Sequence, residues 1–123
     1  MTAAATPTSP ASTTALRNAT AAGAVLQLAM VIAGHWVEFI KTNGFAIGGM
    51  AISLAAGVLF ARAARVPRGR AAGGGAVAGG TCALIGIAVS FALGDVPALI
   101  LVVGTASSAV TGAIGGAVAG GTR

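Results

Sequence analysis

Four apolar runs, separated by short clusters of charge, proline or turn residues, set the pattern of this chain. A helix needs about 20 residues to cross about 30 Å of hydrocarbon. Spans of that length are expected near residues 19–40, 45–64, 73–93 and 96–121. Arg17 precedes the first and Lys41 follows it, and Asn43-Gly44 suits a tight reversal because both residues tolerate positive φ. The second run ends in a basic segment, residues 62–72, carrying Arg62, Arg65, Arg68 and Arg70, which no bilayer accepts at depth. The start of the third span is open: Gly73 to Gly80 adds little hydrophobicity, and the firmly apolar part runs from Cys82 to Leu93. Asp95 and Pro97 form a helix start, the carboxylate capping free amides and the proline fitting the first turn. Residues 1–17, rich in Ala, Thr and Ser and interrupted by Pro7 and Pro10, are expected to be a disordered tail that is retained rather than cleaved.

The expected fold is therefore an all-α integral membrane protein, a bundle of four transmembrane helices occupying residues 18–123. Composition agrees. Of 123 residues, 56% are hydrophobic and 7% charged, against about 25% charged in soluble domains. The net charge of +5 does not point to nucleic acid, because most basic residues sit in one loop between apolar runs instead of on a polar face. They act on topology. Arg17, Arg62, Arg65, Arg68, Arg70 and Arg123 fall on one side and Lys41 alone on the other, which places both termini in the cytoplasm by the positive-inside rule. Heavy use of Arg, Ala and Gly suits a bacterial genome, hence a multi-pass protein of the cell's inner (plasma) membrane.

Small residues recur at four-residue spacing in three runs: Gly49, Ser53, Gly57; Gly86, Ser90, Gly94; and Gly104, Ser108, Gly112, Gly116, Gly120. Such faces let helices approach closely in lipid. They serve either a seam inside one bundle or a seam between copies, so a homo-oligomer and a larger membrane complex are both expected partners. The octapeptide Gly-Gly-Ala-Val-Ala-Gly-Gly-Thr occurs at residues 74–81 and 115–122. One copy opens a span and the other closes one, so it reads as low complexity that brings spans three and four together at the cytoplasmic end.

Ionisable chemistry is concentrated in Gly34-His35-Trp36-Val37-Glu38-Phe39-Ile40-Lys41. On a helix Gln27, His35 and Glu38 share a face. Gln27 lies near mid-bilayer, with His35 roughly 8 Å and Glu38 roughly 13 Å from it at the helical rise. The three make a candidate proton or ion path, whereas Trp36, Lys41 and the loop arginines read first as interface anchors. A haem or chlorophyll-type pigment on His35, with Gly34 making room, is a further alternative. Cys82 is single, so neither an internal disulfide nor a zinc or iron–sulfur spacing exists. The hydroxyls in the spans lack a base partner for nucleophilic catalysis. No enzymatic activity, metal or cofactor is expected. The leading expectation is a packing component or accessory subunit of a membrane complex, with a small transporter or channel subunit as the alternative.

In plan, four spans in little more than a hundred residues with one carboxylate in the first is similar to small multidrug-resistance transporters. Glu38, however, lies near a span end rather than the bilayer centre, and no tyrosine is present to build an aromatic binding surface.

Overall fold

The computed structural model describes residues 10–38 and 45–121, all helix and short connections. The elements are α1 (Pro10–Trp36), α2 (Phe45–Ala64), α3 (Arg68–Ala92) and α4 (Leu99–Ala119). Each is long and apolar enough to cross a membrane. Neighbours in sequence run antiparallel. The α2–α3 pair forms the middle of the bundle, with α1 and α4 packed on opposite sides of it, and the α3–α4 interface is the most extensive.

Several boundaries differ from those expected. Helix α1 begins at Pro10, so residues 10–17 are helical rather than tail. Proline suits a first helical position, where its missing N–H is not required. Ala15 and Ala19 are buried against the core that contains Ala56, Phe60, Ala61 and Ala64. These alanines start a stripe at four-residue spacing, Ala15, Ala19, Gly23, Gln27 and Val31, that is buried throughout. At its other end α1 stops at Trp36. The expected continuation to Ile40, Lys41 and the Asn43-Gly44 turn falls outside the described residues.

The basic segment 62–72 is mostly helix. Only Arg65, Val66 and Pro67 connect α2 to α3. Arg65 takes a left-handed conformation, φ 55°, which reverses the chain, and its amide donates to Ala61 O at 3.0 Å. Pro67 then stands directly before α3 with extended backbone, as the steric demand of a proline at a helix entry favours. The glycine-rich start of the third run is thus part of α3. Gly94, placed by its spacing on a packing face, lies beyond the end of α3 and supplies φ 80° for the turn. The N-cap position of α4 is Ala98, which makes no side-chain cap hydrogen bond. Gly120, the last member of the α4 series, is that helix's C-cap.

The interior is built from small residues and the exterior from large ones. A Cβ at Gly79 would come 2.9 Å from Ser108 O and 3.0 Å from Gly112 Cα, and one at Gly75 would come 3.2 Å from Gly116 Cα. The first octapeptide copy therefore lies backbone to backbone mainly against Ser108 and Gly112 of α4, and touches the second copy only where Gly75 meets Gly116. Gly57 of α2 faces Gly112 in the same way, and Gly74 leaves the space filled by Phe60, the largest fully buried side chain. Outward, Val25, Ile32, Ile47, Val77, Val102, Val110 and Val118 are exposed.

Not every glycine is held by contacts. Gly73 lies within α3, and a Cβ there meets nothing within 4 Å. Gly73→Ala is expected to stabilise the protein by about 1 kcal/mol, the helix-propensity difference. Thermal unfolding of the two proteins in the same detergent checks this, and a lower melting temperature for the variant would contradict the open space at this position.

Candidate functional site

The ionisable site forms where the ends of α1 and α3 meet the connection into α4. His35 is in the last turn of α1, and its Nδ1 lies 2.9 Å from Oδ2 of Asp95. The turn residue Gly94 and the Asp95 amide, which donates to Ser90 O at 2.9 Å, set the carboxylate in place. Burial is unequal: the Asp95 side chain is 5% exposed and that of His35 33%. A protonated His35 makes an ion pair here. Neutral His35 donates Nδ1–H to the same oxygen if that tautomer is adopted, so the contact itself does not require the charge. Trp36 stands edge-on to the His35 ring, centroids 5.3 Å apart, and is itself 79% exposed.

The carboxylate beside His35 is thus Asp95, sixty residues away in sequence, and not Glu38. Helix α1 ends at Trp36, so the i, i+3 geometry that would bring Glu38 over His35 is not propagated. Glu38 is exposed. The signal available in the sequence is topological: with four spans, the end of the first and the connection between the third and fourth fall at the same end of the bundle.

Deeper in, Gln27 is 2% exposed. Its Nε2 donates to Gly49 O at 3.3 Å and approaches Cys82 Sγ at 3.9 Å. Gly86 makes the room, since a Cβ there would come 2.9 Å from Gln27 Cβ. Gly49 and Gly86 therefore accommodate an amide side chain of α1. Ser53 Oγ donates to Gly79 O at 3.3 Å, and Cys82 Sγ donates to the same carbonyl at 3.3 Å. Ser90 is fully buried and, like Thr105, its hydroxyl has no hydrogen-bond partner. Between Gln27, Val31, Ile87, Ser90, Pro97 and Ile100 lies a cavity of about 290 Å³ with mainly apolar walls.

This row of polar groups, His35 and Asp95, then Ser90 and Gln27, then Cys82 and Ser53, occupies one part of the bundle only. Toward the arginine end the hydrophobic core is Ala15, Ala19, Ala56, Phe60, Ala61, Ala64 and Ala71; the buried polar side chains among the described residues are Gln27, Ser53, Ser90 and Ser108. Of the remaining small residues, Ser108, Gly112 and Gly116 are buried on α4, while Gly104 faces the flexible side chain of Ile87. Arg62, Arg65, Arg68 and Arg70 gather at the far end from His35. Arg68 turns inward to the end of α4, Nε donating to Ala117 O at 2.8 Å.

Four helices long and apolar enough to cross a membrane, with small residues inside and large apolar residues outside, suggest a multi-pass membrane protein. Comparison with protein families, with curated proteins and with solved structures finds no match.

Proposed function

We propose that this chain is a small polytopic membrane protein without enzymatic activity, acting as a packing component or accessory subunit of a membrane complex in the plasma membrane, its arginine end in the cytoplasm. The observation that carries this reading is the inverted distribution of side-chain size. Ala56, Ala71, Ala78, Ser53, Ser90 and the crossing glycines fill the interior, while Val25, Ile32, Ile47, Leu99, Val102 and Val118 face outward. In water that surface would drive aggregation; in lipid it is the solvated face, and close backbone packing supplies the association. The glycine faces of α3 and α4 are occupied by each other, so contact with a second protein falls to the outer apolar faces. The test is isolation from the native membrane in a mild detergent, followed by mass measurement. A defined assembly with a constant partner or copy number is expected, and a lone chain under conditions that preserve other complexes would refute the reading.

The His35–Asp95 contact favours a second reading, a proton- or ion-coupled path, with Asp95 in the role first given to Glu38. Against it, the polar row stops at the Phe60 and alanine core, and a path needs polar groups on both sides of the bundle centre. Reconstituted vesicles are accordingly expected to show no proton or cation flux above empty vesicles. A flux abolished by His35→Ala or Asp95→Asn would reverse the order of the two readings.

A further inference from the structure

At the arginine end a cleft of about 620 Å³ opens between the end of α2 and the end of α4. Arg62 and Arg65 line one side, and Val118, Ala119 and Gly120 the other. Both arginines are exposed. Neither guanidinium has a hydrogen-bond or ion-pair partner among the described residues. Carbonyl groups at two helix ends would ordinarily make such a place unfavourable for an anion. Here that field is already offset: Arg68 donates to Ala117 O and to Gly120 O, and the Gly121 amide donates to Val66 O. Arg62 and Arg65 are surplus to that neutralisation.

Arg65 carries a second indication. It is the only non-glycine residue with positive φ among those described, at the position just after a helix where glycine is preferred because it has no Cβ to clash. The backbone would be served better by glycine, so the value of arginine here lies in its side chain. Guanidinium groups pair with phosphate oxygens through parallel N–H donors, and basic pockets between membrane helices bind acidic lipid headgroups.

We propose that the Arg62–Arg65 cleft binds a phosphate-bearing anion, the headgroup of an acidic phospholipid or a free phosphate, with Val118 and Ala119 forming the apolar wall beside it. This goes beyond the accessory role, and it depends on the membrane reading only for the source of the anion. The test uses the full-length protein in an uncharged detergent and follows thermal unfolding on titration with dioctanoyl-phosphatidylglycerol, dioctanoyl-phosphatidylcholine or inorganic phosphate. A saturable rise with phosphatidylglycerol and none with phosphatidylcholine is expected. Inorganic phosphate without effect assigns the site to lipid, and an equal effect assigns it to free phosphate.

Arg65→Gly and Arg62→Gln are each expected to weaken binding about five-fold, and together about twenty-five-fold. Arg17, equally exposed on α1, does not line the cleft; Arg17→Gln should change affinity by less than about two-fold. Without ligand, Arg65→Gly should melt at or above the wild-type temperature, because glycine relieves the backbone. If that variant does not fold, Arg65→Gln replaces it in the binding series. Equal responses to both lipids, undiminished affinity in the Arg62 and Arg65 variants, or an Arg17→Gln loss as large as theirs would overturn the proposal.

Discussion

Gly116→Leu is expected to leave no folded protein at physiological temperature, a loss above about 4 kcal/mol. Gly116 lies where α4 crosses the start of α3. A Cβ there would run into Ala71 O and come 2.7 Å from Ala71 C and 3.3 Å from Ala72 Cα. Overpacking of side chain on side chain typically costs about 1–3 kcal/mol, because rotamers give way. Here the obstructing atoms are backbone inside a helix, so the helices themselves must separate. Separation would also break the neighbouring Gly75–Gly112 contact and draw Arg68 from the end of α4. Gly112→Leu, whose added carbon would meet Gly75 O, should behave the same way. Expression yield, gel-filtration profile and thermal unfolding in detergent measure the effect. Wild-type values for either variant would mean that α3 and α4 do not cross at these glycines. Gly104→Ala is the internal comparison: its nearest neighbour is the tip of Ile87 at 2.7 Å, which can rotate, and its cost should stay below about 1 kcal/mol.

His35→Ala should have the next largest effect, about 2–3 kcal/mol, because it removes the imidazole from a carboxylate that is nearly buried. The figure is below that for a fully enclosed pair since His35 is partly exposed and screened. Asp95→Asn should cost less, about 1 kcal/mol, because the amide oxygen can still accept from Nδ1–H. The double variant should fall short of the sum of the two by about 1 kcal/mol or more, the signature of residues in contact. Chemical unfolding of the four proteins in one detergent supplies the cycle. Strict additivity would show that the two side chains do not interact in solution. Glu38→Gln is the discriminating control: Glu38 is exposed, and its removal should shift stability by no more than about 0.5 kcal/mol.

The stripe Ala15, Ala19, Gly23, Gln27, Val31 was present in the sequence at the same spacing as the seams found in the other three runs. Two prolines and a run of Ala, Thr and Ser mask it in the sequence, because they favour a tail. Pro10 in fact sits where a helix tolerates proline, and alanine, the best helix former, is also small enough to lie against Ala56 and Phe60. The glycine-rich Gly73–Gly80 segment was ambiguous for a related reason. Hydropathy counts side-chain carbon, and the contribution of these residues is the carbon they lack. Only the presence of Phe60, Gly112 and Gly116 opposite them makes their helix favourable.

The candidate site shows the same division. Gln27 and His35 could be placed on one helix face from spacing alone, and Gln27 is indeed buried. The partner of His35 could not be chosen that way, because α1 ends at Trp36 and the carboxylate that reaches the ring arrives on a turn between α3 and α4. Arg65 was legible as a charge but not as a strained one; its φ of 55° follows from closing a three-residue connection between antiparallel helices.

By itself, the sequence determined that four helices form and that each is long and apolar enough to cross a membrane, since helix length and hydropathy are local properties of consecutive residues. Tertiary structure alone decided which small residues are crossings and which are merely small, that Asp95 rather than Glu38 meets His35, and that the polar row ends at Phe60. Each of those depends on what another helix places opposite a given residue, and that is a property of packing between segments far apart in the chain.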